Sequence, residues 1–363
     1  MPQDDAPKKN QGRTAELGST AKLEAQQRIQ QAKAATSDIQ QWASDLCHGS
    51  REALSRAITL AESTLPSDRA RLERLLKLTH QPERSQSSWR IGITGVPGVG
   101  KSTFIEEFGL EWLRKGHRVA VLAVDPSSQR SGGSILGDKT RMERLTRSTD
   151  AFIRPSPAAK TLGGVSRATH ESILLCEAAG FDRILVETVG VGQSETEVKN
   201  LTDVFLLLML AGAGDELQGI KRGIMEMADM ILINKCDGLN IQQAQQAVAV
   251  YQQAIHLFPV PAGDHQVEVT AISALENTGI ESTCKQVESL MESWHSTGWI
   301  QELRSSQCQH QFERHIRDLL VEQTLLNPLQ QSHLEQLQSE VQRQHISAFA
   351  AARLWIQSLA SKT

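Results

Sequence analysis

The segment Gly95-Val96-Pro97-Gly98-Val99-Gly100-Lys101-Ser102 constrains this chain more than any other, because it fits the pattern G-x-x-x-x-G-K-[ST]. It lies between an apolar run ending at Thr94 and a helical pattern through Phe104, Ile105, Phe108 and Leu113. A strand, a glycine-rich turn and a helix in that order make a phosphate cradle. The glycines let backbone N–H groups turn inward, and the helix N-terminus adds the positive end of its dipole. Lys101 is expected to bridge the β- and γ-phosphates of a nucleoside triphosphate and Ser102 to ligate Mg2+, with Thr103 completing the phosphate-binding segment.

Such a turn belongs to a parallel sheet, and the rest of the chain repeats the alternation. Apolar runs at Arg90–Thr94, Val119–Val124, Ala151–Arg154, Arg183–Glu187, Val204–Leu210, Met230–Ile233 and Val267–Ile272 are separated by helical segments. Near-continuous apolarity suits strands covered on both faces, and the alternation suits right-handed crossovers. The expected fold is α/β: a doubly wound, mostly parallel sheet over residues 88–285, with N-terminal and C-terminal helical extensions. Residues 1–38 are too poor in large apolar side chains to offset the entropy of ordering, so a disordered or loosely helical lead is expected. Residues 39–87 read as two helices divided at Pro66, followed by a linker over Gln81–Ser88. Residues 286–363 read as a helical arm broken at Asn327-Pro328. Within it Leu334, Leu337, Val341, Gln344, Ala348, Ala351 and Trp355 alternate steps of three and four. That heptad-like seam either packs back on the chain's own core or joins a second copy.

Asn234-Lys235-Cys236-Asp237 follows the strand Met230–Ile233 and fits N-K-x-D. A carboxylate at Asp237 can accept from both the ring N–H and the exocyclic amine of guanine, whereas adenine presents an acceptor there. Asn234 is expected to tether neighbouring loops and the stem of Lys235 to cover the ring face. Ser273-Ala274-Leu275, after the last strand, resembles the short loop whose backbone N–H meets the guanine oxygen. Glu187-Thr188-Val189-Gly190 has the spacing of D-x-x-G with Glu in place of Asp. Its carboxylate would reach Mg2+ through water, and the Gly190 N–H would sense the γ-phosphate. Val119–Val124 delivers Asp125 to the C-terminal edge of the sheet, a candidate for Mg2+ or for orienting the attacking water. Asp138 lies on the Ser-, Gly- and Arg-rich segment Pro126–Arg147, which reads as a mobile switch, and Gly212–Gly219 is a second glycine-rich stretch. These motifs predict an enzyme that converts GTP and water to GDP and phosphate.

Composition removes several alternatives. Lys and Arg number 38 against 42 Asp and Glu, a formal charge of −4, so no global electrostatic case exists for nucleic acid or an anionic membrane. Cys47, Cys176, Cys236, Cys284 and Cys308 form no C-x-x-C pair and no zinc-spaced cluster, and read as reduced thiols. The longest strongly apolar run, Val204 to Leu210, falls short of the roughly 20 residues of a membrane span. The opening Met1-Pro2-Gln3-Asp4-Asp5 lacks the order of a secretory signal, and its acids argue against a transit peptide, which points to a bacterial-type cytoplasm.

Taken together the segments Gly95–Thr103, Asp125–Ser128 with Gly132–Met142, Arg154–Pro157 with Leu162–Gly164, Glu187–Glu195, Gly212–Lys221 and Asn234–Asp237 resemble the MeaB-type GTPases, also called ArgK-type. Mitochondrial relatives of that family accompany methylmalonyl-CoA mutase. The resemblance implies a homodimeric chaperone that loads, protects or reactivates an adenosylcobalamin-dependent acyl-CoA mutase, with GTP hydrolysis gating the handover. It also implies that carboxylates at Asp125, Asp138 and Glu187 surround Mg2+ and the catalytic water. By the same likeness Gly212–Lys221 is a further switch facing the mutase and the C-terminal helices form a dimer arm. An older reading of the family, a kinase acting in lysine, arginine and ornithine uptake, fits poorly with N-K-x-D and with no export signal. A nickel-inserting GTPase would show a His tract or Cys/His pair near its switches, and the eleven histidines here are dispersed. A purely structural nucleotide-binding module would bind GTP without any partner-dependent change in turnover.

Overall fold

A computed structural model of the chain describes residues 38–124, 142–155, 162–188, 194–211, 222–325 and 328–360. Seven strands occur among them: β1 (Trp89–Gly95), β2 (Val119–Val124), β3 (Ala151–Pro155), β4 (Arg183–Thr188), β5 (Val204–Leu210), β6 (Met230–Asn234) and β7 (Glu268–Ala271). They form one sheet in the order β3-β2-β4-β1-β5-β6-β7. β2 runs parallel to β3 and β4, and β6 runs parallel to β5 and β7. β2, β4 and β6 are buried along their whole length, as apolar runs without alternation require. β1 stands at the centre, with the strands that follow it directly on one side and β5, β6 and β7 on the other. Its C-terminal end is therefore the switch point at which open α/β sheets bind ligands. Among the described residues no helix is long and apolar enough to cross a membrane.

The chain divides into two compact units, which share β1 at the boundary between Ile91 and Gly92. The first contains β2, β3, β4 and the N-terminal helices. Arg51–Glu62 begins at Ser50, whose hydroxyl accepts from the Ala53 N–H, and buries Leu54, Ala57 and Ile58. Pro66 opens the next helix, Pro66–Thr79, where the sequence places the turn. The expected linker after it is instead a short helix, Pro82–Ser87. Proline suits a first helical turn, and Arg84 pins the segment by donating to the carbonyls of Cys47 and Ala178. At the start of β1, Arg90 makes a buried two-pronged ion pair with Glu177, at 2.8 and 3.1 Å, and the Ser88 hydroxyl donates to the same carboxylate at 2.6 Å.

The second unit contains β5, β6, β7 and the C-terminal helices. Met209, Ile231, Ile233, Ala244 and Tyr251 form one buried cluster between its strands and the helix Ile241–Ile255. The expected C-terminal seam is not one continuous helix. Pro328–Gln342 and Ala348–Ala360 are separate helices, and the chain turns between them with Gln344 at a left-handed φ of 59°. Leu337 packs on Ala351 and Trp355, with Leu334 and Val341 alongside, so the seam closes within the chain as a helical hairpin.

Two stability predictions follow from buried charge. Glu177→Ala leaves the Arg90 guanidinium buried without its counter-ion and should cost about 3–5 kcal/mol, whereas Arg90→Met with Glu177→Leu should recover most of it. Urea unfolding of the three proteins tests this, and a single variant as stable as wild type would refute it. The His265 ring sits edge-on to Trp294, 5.0 Å between centroids, and 3.6 Å from Asp229. Burial, outweighing the pull of Asp229, holds its pKa below the usual 6.5. As pH falls through that value the unfolded chain takes a proton that the folded chain refuses, so stability declines. Between about pH 7 and pH 5 the loss should be smaller in His265→Phe than in wild type. Equal losses would mean that His265 titrates alike in both states.

Candidate nucleotide-binding site

The phosphate turn is built from backbone geometry. Gly95 ends β1 where a Cβ would lie 2.4 Å from the Leu208 carbonyl oxygen, so no side chain fits. The Val99 N–H then donates to the Val96 carbonyl at 3.2 Å, closing a tight turn with Val99 buried and Pro97 and Gly98 exposed. Gly98 has φ +76°, and a Cβ there would meet nothing within 4 Å, which leaves an open cradle above the turn. Gly100, also left-handed, caps the helix Lys101–Arg114, and the Phe104 N–H donates to its carbonyl at 2.9 Å. Lys101 and Ser102 are half-buried in the first turn of that helix and Thr103 is exposed. This is the strand–turn–helix context that the motif requires.

The N-K-x-D segment and the Ser273–Leu275 loop form a closed clasp. Asn234 is the last residue of β6 and buried; its Nδ2 donates to the Val99 carbonyl at 2.8 Å, and its Oδ1 accepts from the Ala274 N–H at 3.0 Å. The expected tethering role of Asn234 is thus visible as two hydrogen bonds, one of them to the phosphate turn. Lys235 adopts φ 61°, an uncommon conformation for a residue with a side chain, and turns the chain sharply after β6. The Cys236 N–H donates to Ile272, and Ser273 and Thr278 exchange N–H to carbonyl bonds of 2.9 Å that close a small loop. The Ser273 hydroxyl donates to Asp237 Oδ2 at 2.6 Å and accepts from the Glu276 N–H at 3.1 Å. Sequence reasoning assigned Ser273 only to a loop with a useful backbone N–H. Its side chain orients the Asp237 carboxylate, a role legible only once the two loops are known to meet. Leu275 projects from this loop, 80% exposed.

Glu187 lies at the end of β4, 4% exposed, with Ala123 of β2 as its register partner. β2 itself ends at Val124. The other expected carboxylates, Asp125 and Asp138, lie outside the described residues, as do Gly190 and the stretch Gly212–Lys221. Ser102 and Glu187 offer the hard oxygen donors that suit Mg2+, so the described residues fit that ion in donor type.

Comparison with known proteins agrees with this geometry. Residues 54–328 match the family described as methylmalonyl Co-A mutase-associated GTPase MeaB. A probable GTPase of Mycobacterium tuberculosis is 46% identical over 305 residues, covering 84% of this chain and 90% of its own. The GTPase ArgK of Escherichia coli is 47% identical over 262 residues, 72% of this chain and 78% of that one. The mitochondrial methylmalonic aciduria type A homolog of Mus musculus is 42% identical over 325 residues, 87% of this chain and 78% of its own. A solved structure titled as an LAO/AO transport system kinase superposes with a TM-score of 0.68 at 34% identity, covering 89% of this chain and 98% of that one. With its G-x-x-x-x-G-K-[ST] turn between strand and helix and this breadth of likeness, the chain belongs to the MeaB family of methylmalonyl-CoA mutase-associated GTPases and is a P-loop GTPase.

Proposed function

We propose that this chain couples GTP hydrolysis to the care of an adenosylcobalamin-dependent acyl-CoA mutase, methylmalonyl-CoA mutase or a close relative. It acts in loading, protecting or reactivating the mutase's cofactor. The observation that carries this reading is membership in a family whose description names the mutase. The murine relative, named for methylmalonic aciduria, supports it. Gly95–Thr103 holds the phosphates: backbone N–H groups around the open cradle at Gly98 face them, and Lys101 pairs with the β- and γ-phosphates. Asp237, held by Ser273, reads the guanine edge, Lys235 and Leu275 cover its faces, and the Ala274 segment meets its oxygen. Ser102, Asp125 and Glu187 would hold Mg2+, which when bound would supply charge neutralisation at the phosphates. Asp125, Asp138 and Glu187 orient the attacking water, and Gly190 senses the γ-phosphate. The site is cytoplasmic in this reading. The protein is a homodimer through its C-terminal arm, which the exposed apolar residues Phe312, Ile316, Leu319 and Leu320 on the helix Trp299–Leu325 support.

Base selection is tested by competition. Wild type should prefer GTP to ATP by orders of magnitude, and Asp237→Asn should shift preference toward xanthine nucleotides, since an amide offers a donor where the carboxylate offered an acceptor. Equal affinity of wild type for ATP and GTP would sink the assignment. The chaperone reading is tested by single-turnover hydrolysis with and without the purified mutase. Gly190 is followed by Val191, so no Gln stands directly after the glycine to orient water, and unassisted turnover should be slow. Added mutase should accelerate wild type severalfold or more and leave Lys101→Ala inactive. A rate indifferent to a mutase that demonstrably binds would remove the chaperone's gate.

A further inference from the structure

The helix Trp299–Leu325 is amphipathic in the reverse of the usual sense. Arg304, Gln307, Gln311 and Arg314 recur at steps of three, four and three, so all four fall on roughly a quarter of the circumference at 3.6 residues per turn. All four are largely buried, while Phe312, Ile316, Leu319 and Leu320 are exposed. What the polar face meets is the short stretch 194–203, which follows the Glu187–Gly190 motif. Arg304 grips Asp203 with two bonds of 2.9 and 2.7 Å, and Gln307 donates to the Thr202 carbonyl at 2.8 Å. Arg314 pairs with Glu197, on the helix Ser194–Lys199.

These contacts differ in a way that assigns them different tasks. Asp203 and Thr202 are wholly buried, so the lower grip is sealed from water and fixed. The Glu197 side chain is 37% exposed, so its ion pair can be exchanged for water at small cost. Between the two grips lies Gln311, 3% exposed, with both amide atoms buried and without a hydrogen-bond partner among the described residues. A buried amide left unpaired favours any nearby rearrangement that pairs it. The helix Ser194–Lys199 has six residues, and so short a helix takes its orientation from tertiary contacts.

We infer that Arg314, acting through Glu197, is a positioning residue for GTP hydrolysis. From the C-terminal helix it sets the orientation of Ser194–Lys199, the described element that follows the motif, with three residues between Gly190 and Ser194 in the sequence. The inference rests on the reading of Glu187–Gly190 as the Mg2+ and γ-phosphate element. Loss of the pair should slow the chemical step while nucleotide binding, which depends on the phosphate turn and the guanine clasp, is retained. A contact that merely held the fold together would lower stability and affinity together.

The test is single-turnover GTP hydrolysis with GTP and GDP affinities for wild type, Arg314→Met, Arg314→Lys, Glu197→Gln and the exchanged pair Arg314→Glu with Glu197→Arg. Glu187→Gln reports separately on the motif itself. Arg314→Met and Glu197→Gln should each lose about tenfold or more in rate with affinities within about twofold, as expected of misorientation without lost binding. Arg314→Lys and the exchanged pair should recover most of the rate. If Arg314→Met does not fold, Glu197→Gln, at a half-exposed site, carries the test. Wild-type rates in Glu197→Gln, or rate and affinity falling together without rescue, would overturn the inference if Glu187→Gln is slow. A Glu187→Gln protein as fast as wild type would instead remove the motif reading on which the inference stands.

Discussion

One buried side-chain amide joins the two ends of the nucleotide site. Asn234 is 2% exposed, and its two bonds satisfy the Val99 carbonyl of the phosphate turn and the Ala274 N–H of the base loop. Neither backbone group has water to fall back on, so loss of the amide would strand both. The consequence is geometric. The loops expected to read guanine and the turn expected to hold phosphate are braced against each other before any ligand arrives, which lowers the ordering cost of binding. Ser273 extends the same economy to the carboxylate, since a hydroxyl that accepts from Glu276 while donating to Asp237 has only one orientation open to it.

Most of the sheet was legible because its strands are buried on both faces and the side chains admit no other use. Val119–Val124 and Val204–Leu210 have the same limits in sequence and structure, and the other strands shift by a residue or two, with Glu268–Ala271 the most curtailed. That last strand is partly exposed, and its apolar signal is correspondingly dilute. The phosphate turn was equally legible, since G-x-x-x-x-G-K-[ST] states its own backbone conformation. Pro82–Ser87 was not, because a proline and five polar residues carry no periodic apolar signal. What fixes that helix is Arg84 reaching two distant carbonyls, a tertiary fact that local composition cannot encode. The C-terminal seam misled for the opposite reason. Its three-four spacing is real, but spacing counts residues through a turn as readily as through a helix, and Gln344 in a left-handed conformation folds the seam onto itself.

The helix Trp299–Leu325 marks a further limit of pattern reading. A period of 3.6 residues is sought in apolar side chains because apolar burial is the common case. Here the buried stripe is Arg, Gln, Gln and Arg, and it is affordable only because Asp203, Glu197 and the Thr202 carbonyl stand opposite. Those partners lie about a hundred residues away in sequence, so the stripe has no meaning until the fold brings them together. Polar burial of this kind, compensated at Arg304 and Arg314 and left unpaired at Gln311, stabilises less than apolar packing would, and its return is specificity of register. One translation of the helix against its partners would break three sets of directional contacts at once.

That division between fixed and exchangeable contacts bears on how such a GTPase can signal. GTP and GDP present the same base and the same two inner phosphates, so in the proposed reading the loops that read the base meet the same groups in both. A group that binds two ligands equally cannot shift an equilibrium between the states they favour. Discrimination must therefore arise where the γ-phosphate is felt, which in the proposed reading is at Lys101 and at the motif that begins with Glu187. The next described element after β4 is Ser194–Lys199, and its C-terminal end is held as well: Lys199 pairs with Asp229 at 2.6 Å, and Asp229 also accepts from the Phe205 N–H at 2.7 Å. With Lys199 and Asp203 both secured, motion at the motif cannot be passed on by sliding the segment. On the inference drawn from Arg314, what is left is rotation of one short helix about a fixed end, and the side chain best placed to feel it from outside is the half-exposed Glu197.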